Sequence, residues 1–556
     1  MTAMYTGEIM SATPTAPRRT AHHLMAGATT RRTFLGGTAL IGAGALAACG
    51  GDDAGSPTAE ASTTLPPVPE LSGDPFALGV ASGDPDATSV ILWTRVVVDP
   101  NEPDGGVGDE PVPVTWEVAT DGAFGAVIAS GTEVATAEFA HAVHATADRL
   151  EPDGTYWYRF RIGEAVSPVG RTRTMPAEGE QPSSGRFRFA MATCQDFQAG
   201  RYAAWGDAAA LEDLDAIVFL GDYVYELPNL FTGPDGDTSR QYTSDVPTDL
   251  AGFRARYSQV KGDEQLQAAH ATAPFFATWD DHEVVNNYTK NVDPELRQAA
   301  YQAWWEHLPV RLPAPRNGEL AVYRTLDVGA LIQLFILDTR QYTDEPPCPG
   351  DDGLGTVADC DARAGEERTL LGEAQKTWLL DGLRSSTTTW TGLANPVLFA
   401  GLVAGSTDDG VPKFFMDTWD GFPAERAEIR SALAGLDNPV VLTGDYHASF
   451  VLDVNDPAPA DDPAAGPPAD GTPVCPEFLV TAISSVLFSE DYSPINPQVR
   501  YFEAQHGYAV CTVTEERFSC EFRYVDDVWD ADSPITVGPT WEVANGEHVA
   551  SEATGR

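Results

Sequence analysis

The sequence predicts an all-β sandwich followed by an α/β domain, and three observations support this fold class. The chain has 556 residues, too many for one core, and 43% of them are hydrophobic. Residues 71–177 contain short β-rich runs separated by Gly, Pro and Asp turns. From residue 186 onward, nearly continuous apolar strands alternate with helical stretches, as expected when helices cover a sheet.

The first 49 residues carry the pattern of an export signal. Arg31 and Arg32 directly precede an apolar run from residue 34 to residue 48, the arrangement of twin-arginine signals. This run is shorter than the ~20 residues that cross a bilayer. It ends in Leu-Ala-Ala-Cys49, which resembles a bacterial lipoprotein cleavage box; the alternative is a nearby cleavage that discards Cys49. We therefore predict export by the twin-arginine machinery to the cell surface or beyond, with a lipid on Cys49 as the membrane contact.

Composition places the remaining boundaries. Residues 50–70 are rich in Pro, Ser, Thr, Ala and acids and predict a disordered tether. The segment from Leu150 to Tyr156 resembles the turn-into-strand corner of fibronectin-like sandwiches. A Gly/Pro/Ser linker near residues 177–185 separates the two domains. The expected order is a β-sandwich at 71–177, an α/β domain at 186–530 with helices near 298–308 and 373–384, and a tail at 531–556.

The charge balance is strongly acidic, with 82 Asp and Glu against 34 Lys and Arg, a formal charge of −48. Such a surface repels phosphate backbones, so no nucleic-acid binding is expected. Most of the acids are explained by solubility at high ionic strength. A few of them are candidate oxygen ligands for hard cations such as Ca²⁺.

Cysteines outside the signal form two candidate disulfides for an oxidising compartment, Cys348 with Cys360 and Cys511 with Cys520. The first pair flanks an acidic, Gly-rich loop, and the second flanks a hairpin-like stretch. The sequence alone does not fix these pairings, and it leaves Cys194 and Cys475 without partners.

Five predicted strands each end in polar side chains. The strands and the segments that follow them are 186–192 with Thr193-Cys194-Gln195-Asp196, 215–220 with Gly221-Asp222-Tyr223-Val224-Tyr225-Glu226, 275–278 with Trp279-Asp280-Asp281-His282-Glu283, 331–337 with Asp338-Thr339-Arg340-Gln341-Tyr342, and 439–443 with Gly444-Asp445-Tyr446-His447. Ligand sites in α/β sheets form at the carboxyl ends of strands. Each segment alone is more often a turn or a capping residue. Five of them on strands that otherwise avoid charge predict a metal site.

The order of these segments resembles the binuclear metallophosphoesterases. The blocks Gly221-Asp222-x-x-Tyr225, Asp280-Asp281-His282-Glu283 and Gly444-Asp445-x-His447 match the PhoD-type alkaline phosphatase/phosphodiesterase variant. Supporting stretches of that family occur at 194–200, 337–342 and 416–421, and the similarity extends from about Phe76 to about Tyr524. The resemblance implies a metallophosphatase domain of two packed β-sheets flanked by helices, preceded by the β-sandwich.

The residue chemistry and the resemblance predict the same metal ligands. A carboxylate at Asp222 bridges two cations, and a Tyr225 phenolate favours Fe³⁺. The Cys194 thiolate and the His447 imidazole complete the iron shell. Asp281 and Asp445 supply hard oxygen ligands that suit Ca²⁺.

Departures from the wider superfamily support this pair of metals. Its corresponding blocks usually read Asp-x-His, Asn and Gly-His-x-His, whereas this sequence has Cys194, Asp281 and Asp445. These replacements argue against two zinc ions and for iron with calcium. No dedicated ligands for a second calcium are identified.

Together with the export signal, the resemblance implies an exported alkaline phosphatase. It would release phosphate from monoesters and diesters by direct attack of water, without a phosphorylated protein intermediate. Arg340 has two candidate roles, a bidentate contact to phosphoryl oxygens or a salt bridge with Asp338 or another acid. His282 is expected to protonate the leaving group, the alternative being a hydrogen bond to a ligand carboxylate. Asn286 and Asn287 are candidate phosphate contacts.

Two alternative functions remain open. One is a phosphodiesterase of phospholipase D type, acting on phospholipids or teichoic-acid-like polymers. The other is a calcium-binding surface lipoprotein without turnover. Tyr225 and Cys194 beside Asp222 argue against the second, because calcium sites have no use for a thiolate.

Overall fold

Two large β-sheets packed face to face form the centre of the computed structural model. The structure describes residues 65–102, 104–348, 350, 355–358, 360–455 and 471–554. The predicted export signal, Cys49 and residues 50–64 of the tether lie outside the described residues. Among the described residues, no helix has the length and apolar character needed to cross a membrane.

The strands of the described residues, in chain order, are β1 (Val80–Gly83), β2 (Val90–Arg95), β3 (Val112–Ala119), β4 (Val127–Ala135), β5 (Ala142–Ala147), β6 (Thr155–Ile162), β7 (Ala165–Val166), β8 (Gly170–Arg173), β9 (Phe187–Ala192), β10 (Ala216–Leu220), β11 (Phe275–Thr278), β12 (Arg324–Val328), β13 (Ile332–Ile336), β14 (Thr356–Val357), β15 (Trp390–Asn395), β16 (Phe414–Phe415), β17 (Pro439–Thr443), β18 (Ser449–Asn455), β19 (Pro473–Leu479), β20 (Val499–Glu503), β21 (Gly507–Val513), β22 (Arg517–Val525), β23 (Ile535–Ala544) and β24 (Ser551–Glu552). The α-helices are α1 (Ala203–Ala210), α2 (Leu250–Lys261), α3 (Glu264–Thr272), α4 (Pro294–His307), α5 (Gly372–Ser385) and α6 (Pro423–Leu433). The two helices expected near 298–308 and 373–384 are α4 and α5. All five strands expected to carry ligands are present as β9, β10, β11, β13 and β17.

The ten-stranded sheet has the order β24-β23-β22-β21-β9-β10-β11-β1-β2-β5. Within it, β9, β10 and β11 are parallel neighbours. The seven-stranded sheet has the order β12-β13-β15-β17-β19-β18-β20, with β13, β15, β17 and β19 parallel. The carboxyl ends of the parallel strands in each sheet therefore lie along one edge of that sheet.

Alternating side chains in the parallel strands build three cores. On β10, Val218 and Leu220 face the apolar core between the sheets, where they join Leu334 of β13 and Leu442 of β17. The intervening Ile217 and Phe219 face a second core that contains α1–α4. A third core lies between the seven-stranded sheet and helices α5 and α6. Both faces of the central strands are buried, which explains their continuous apolar sequences.

The N-terminal part is joined to the α/β part through the ten-stranded sheet. Strands β3, β4, β6, β7 and β8 form a separate five-stranded sheet, whereas β1, β2 and β5 extend the ten-stranded sheet beyond β11. One apolar core fills the space between these two groups of strands. Gly83 of β1 pairs with Phe275 of β11, and a Cβ at Gly83 would lie 2.1 Å from the carbonyl oxygen of Pro309.

The expected turn-into-strand corner is present, because the Tyr156 hydroxyl donates to the Glu151 carbonyl at 3.1 Å and accepts from the Glu151 N–H at 2.9 Å. The closer resemblance to fibronectin-like sandwiches stays a prediction.

Two further expectations differ from the structure. The segment expected to be a C-terminal tail adds β23 and β24 to the ten-stranded sheet, where Trp541 and Val543 contact the core between the sheets. Cys348 and Cys360 form a disulfide, but the prediction of one between Cys511 and Cys520 is wrong, because both are free thiols. They face each other across β21 and β22 in the core, where a thiol packs as a small apolar side chain.

Candidate metal centre

Strand ends from the two large sheets meet at the predicted site. The ten-stranded sheet contributes the turns after β9, β10 and β11, and the seven-stranded sheet contributes those after β13 and β17. The turns are joined directly: Cys194 N–H donates to the Gly221 carbonyl at 3.1 Å, and the Tyr225 hydroxyl lies 3.3 Å from His447 Nε2.

Glycine is required in the turns after β10 and β17. Gly221 has φ +98°, and a Cβ there would lie 2.7 Å from the backbone nitrogen of Asp280. A Cβ at Gly444 would lie 2.6 Å from Thr193 Oγ1. A larger residue at either position would push neighbouring strand ends apart. This explains why the predicted ligands Asp222 and Asp445 each follow a glycine.

The predicted iron ligands converge. One ligand atom each from Cys194, Asp222 and His447 lies within 4.8 Å of the others. The Tyr225 hydroxyl is 2.7 Å from Asp222 Oδ2 and completes a compact set of S, N and O donors. These donor types fit a ferric ion better than calcium.

His447 presents the correct nitrogen to such an ion. Its Nδ1 lies 2.6 Å from the carbonyl oxygen of Val486, which can only accept, so Nδ1 carries the proton. Burial lowers the pKa of His447 to about 4. The ring is therefore neutral, with the lone pair of Nε2 directed toward Tyr225.

A second group of donors shares Asp222 with the first. Ligand atoms of Asp222, Asp281 and His282 lie within 4.8 Å of one another. Asp281 Oδ1 is buried and has no hydrogen-bond partner. A buried carboxylate oxygen without a donor is costly, and a hard cation would satisfy it.

The clustered carboxylates of the site also favour a bound cation. Burial raises the pKa of Asp222 well above its usual range, and Asp281, Asp280 and Glu283 raise it further. Burial likewise raises the pKa of Asp445, with Asp280 and Asp417 adding to the effect. Cations between these carboxylates would stabilise their charged forms. The residues present therefore fit a binuclear centre with Asp222 as the shared carboxylate.

His282 is held by an acid that the sequence analysis did not assign a role. Its Nδ1 lies 2.7 Å from Glu226 Oε2, and Glu226 Oε1 accepts the N–H of Asn286 at 2.8 Å. The Tyr225 ring stacks on the imidazole at 4.2 Å. Although burial opposes it, the charges of Asp281, Glu226 and Asp222 raise the pKa of His282 well above its usual range. The ring is thereby fixed with Nε2 as its available proton donor.

Of the two roles predicted for Arg340, the ion pair is the one present in the structure. Its Nε and Nη2 contact the two carboxylate oxygens of Asp280 at 2.6 Å and 2.9 Å. The partner is Asp280 rather than Asp338, whose Oδ1 instead accepts the backbone N–H groups of Arg340 and Gln341.

Asn286 and Asn287 are exposed at the rim of the site. The backbone N–H of Asn287 donates to Asp281, and its side chain contacts Asp417. The predicted phosphate contacts of both asparagines stay predictions.

Some residues of the site were not singled out by sequence reasoning. Glu226, Asp280 and Asp417 lie inside the motifs already quoted, so the motifs carried a signal for them. Ser485 lies in none of these motifs. It is 260 residues from Tyr225 along the chain, and its Oγ donates to the Tyr225 hydroxyl at 2.7 Å.

Two packed sheets with this ligand-bearing edge define a protein of the metallophosphatase class. Residues 189–522 match the model of the PhoD-like phosphatases, and residues 60–176 match the model of their N-terminal domain. The chain belongs to the PhoD-like phosphatase family and is a phosphoric ester hydrolase.

Individual relatives agree with this assignment. Alkaline phosphatase D of Bacillus subtilis (strain 168) is 38% identical over 490 residues, which cover 84% of this chain and 81% of that protein. A solved structure of PhoD superimposes with a TM-score of 0.80 at 36% identity, over 88% of this chain and 94% of that one. Purple acid phosphatase PPD1 from yellow lupin (Lupinus luteus) shares the fold, with a TM-score of 0.51 at 12% identity over 84% of this chain and 74% of that one.

Proposed function

We propose that this phosphatase is exported and hydrolyses phosphate monoesters and diesters at a centre of one Fe³⁺ and Ca²⁺. The observation that carries the proposal is the position of Asp222, which belongs both to the group with Cys194 and His447 and to the group with Asp281 and His282. Sulfur, imidazole and phenol donors lie on one side of this carboxylate. The other side has the carboxylate of Asp281 together with His282, which we assign to proton transfer rather than to metal binding. Such an asymmetric set favours two different cations.

Cys194, Tyr225 and His447 would hold the iron with Asp222, and Asp281 and Asp445 would hold calcium. Bound there, the cations would supply Lewis acidity and neutralise charge on the phosphoryl group. Asp417 lies close enough to influence the pKa of Asp445 and shares this acidic side of the centre.

His282 has the geometry of a proton donor to the leaving group. Glu226 holds Nδ1, so the proton on Nε2 is the one available for transfer. The charge of Glu226, which is not a proposed metal ligand, raises the pKa of His282 and favours the protonated ring before reaction. As the ester bond breaks, this proton would pass to the departing alkoxide.

In this proposal Arg340 positions acidic residues of the site. It forms a bidentate ion pair with Asp280, the residue before Asp281, and its Nη2 is 4.0 Å from Asp281 Oδ2. Direct contact between Arg340 and a phosphoryl oxygen stays a prediction, as do the phosphate contacts of Asn286 and Asn287.

Membership of an enzyme family sets aside the calcium-binding lipoprotein without turnover. Hydrolysis of phospholipids or polymeric diesters remains a narrower version of the proposed activity. A polymeric diester is favoured by a rim that includes the exposed polar side chains of Asn286 and Asn287. Export and the lipid on Cys49 are proposed from the N-terminal motifs.

The direct test is Asp222→Asn, which keeps the shape of the side chain and removes its charge. We expect hydrolysis of p-nitrophenyl phosphate and bis-p-nitrophenyl phosphate to fall by roughly 10³-fold or more, because both cation groups lose their shared ligand. Circular dichroism should show the parent fold.

Asp381→Asn is the matched control, since Asp381 is an exposed carboxylate on α5 that pairs with Arg384. It should retain parent rates. Near-parent turnover in Asp222→Asn would refute the shared-ligand role.

A further inference from the structure

An aromatic cluster borders the metal centre. It consists of Phe415, Tyr446, Phe488 and Tyr492, connected by ring contacts between 5.8 Å and 6.4 Å. The cluster is continuous with the site along the chain, because Tyr446 lies between the predicted ligands Asp445 and His447.

Phe488 is the exposed member of this cluster. Its ring lies parallel to that of His447, with the centroids 5.0 Å apart and the planes within 6°. It nevertheless remains 41% exposed. One face of Phe488 therefore covers a predicted metal ligand, and the rest of the ring is open to solvent at the edge of the centre.

The Phe488 ring is held in place by the side chains packed around it. Tyr446 meets Phe488 edge-on at 6.0 Å and 70°. Tyr446 is itself buried, with perpendicular contacts to Phe415 at 5.8 Å and Phe450 at 5.1 Å. The loop that carries Phe488 is fixed by the contact between the Val486 carbonyl and His447. Phe488 is thus held in place for contact with a ligand.

Single exposed apolar side chains are common and need no function. Phe488 differs because its ring stacks on His447, a side chain of the candidate active site. Aromatic rings gain from offset-stacked or edge-to-face contact with another ring.

The surroundings favour a planar occupant over a long acyl chain. Partly exposed Leu487 precedes Phe488, but exposed Ser489, Glu490 and Asp491 follow it directly. An acyl chain would need a continuous apolar trough, which these acids interrupt. A planar ring needs only one open aromatic face.

We infer that Phe488 is a specificity-determining residue that binds an aromatic group of the ester's alcohol. The inference rests on the proposed phosphoester hydrolysis and names a substrate class for it, phosphoesters that carry an aromatic ring near the scissile bond.

The test compares 2-phenylethyl phosphate with ethyl phosphate. Both release primary alcohols, so the ring is the main difference between them. The parent should prefer the phenylethyl ester, and Phe488→Ala should lower the ratio of the two kcat/KM values by roughly three- to tenfold, mainly through KM. Phe488→Leu, which keeps apolar volume but lacks a planar face, should lower the ratio as well. Phe488→Trp should retain it.

Val127→Ala is the control, because Val127 is an exposed apolar residue of β4, in the separate five-stranded sheet. Equal losses on both esters in Phe488→Ala, or reduced iron content, would show that Phe488 only supports His447 and would overturn the inference. A full aromatic preference in Phe488→Leu would also overturn it. A parent enzyme that hydrolyses neither ester, nor any other phosphoester, would instead contradict the proposed function itself.

Discussion

Four predicted metal ligands have left-handed backbone conformations that most side chains avoid. The φ angles are +55° for Cys194, +62° for Asp222, +65° for Asp445 and +54° for His447. Each such conformation costs about 1–3 kcal/mol and persists only where the surroundings enforce it. The sharp turns aim side chains from different strands at one point, so the strain has a direct geometric consequence for the site.

Glu226 provides a prediction at the same scale. Glu226→Gln removes the charge that orients His282 and favours its protonated form. We expect kcat for phenyl phosphate to fall about tenfold, and kcat for p-nitrophenyl phosphate to fall less, because a better leaving group needs less protonation. Steady-state kinetics with the two esters measures the difference.

The control for this variant is Glu373→Gln, whose side chain is almost fully exposed on α5. It should change neither rate. Equal losses on the two esters in Glu226→Gln would argue that Glu226 has no part in proton delivery.

At the scale of elements, the site depends on how closely β10 and β11 approach at their ends. Strands β9, β10 and β11 pair in register up to Ala192, Leu220 and Thr278, and the next residues turn toward the seven-stranded sheet. Gly221 allows Asp280 to pack against the turn after β10. The ligands are thus placed by backbone packing as well as by side-chain contacts.

Gly221→Ala tests this dependence. The new methyl group would meet the backbone of Asp280, and φ +98° is unfavourable for alanine. We expect the free energy of unfolding to fall by about 1–3 kcal/mol and bound iron to decrease. Urea denaturation and metal analysis measure the two effects.

Gly125→Ala is a suitable comparison, because the nearest atom to its Cβ would be Asp121 Oδ2 at 3.4 Å. It should be close to neutral. Unchanged stability and iron content in Gly221→Ala would show that the turn tolerates a side chain.

At the scale of the whole molecule, the two sheets bring several carboxylates together, and burying these negative charges without bound cations is costly. Asp222 and Asp281 are buried, Asp445 beside them is only partly exposed, and Arg340 is already paired with Asp280. Cations bound between the sheets would therefore stabilise the folded state over the unfolded chain.

Chelation provides the corresponding measurement. Treatment with EDTA should lower the unfolding temperature by about 5 °C, and the addition of Ca²⁺ and Fe³⁺ should restore it. Asp222→Asn, with one carboxylate fewer, should show a smaller shift. An identical Tm before and after verified metal removal would contradict this stabilising role.

Sequence patterns predicted the strands that carry the site because each strand is a short apolar run followed by an abrupt polar segment. They did not predict that β1, β2 and β5 would continue the ten-stranded sheet, since pairing between Gly83 and Phe275 joins segments almost 200 residues apart. The same limit applies to β23, whose place in the ten-stranded sheet depends on its pairing with β22.

The candidate site, like the fold, was predictable only in part. Ligand types followed from the motifs, but contacts between motifs did not. The pairing of Arg340 with Asp280 instead of Asp338, and the approach of Ser485 to Tyr225, depend on three-dimensional proximity that no local spacing encodes. Cys511 and Cys520 show the reverse case, in which proximity was expected correctly but the bond was not.

The most direct test of the proposed iron–calcium centre is the visible absorption spectrum of the purified protein, recorded with its iron and calcium content. A Tyr225 phenolate on Fe³⁺ should give a violet to brown charge-transfer band, with one iron per chain. Tyr225→Phe should abolish the band, and Tyr323→Phe, which alters a tyrosine packed on Trp378, should retain it. A colourless parent protein that contains no iron and still hydrolyses phosphoesters would contradict the account.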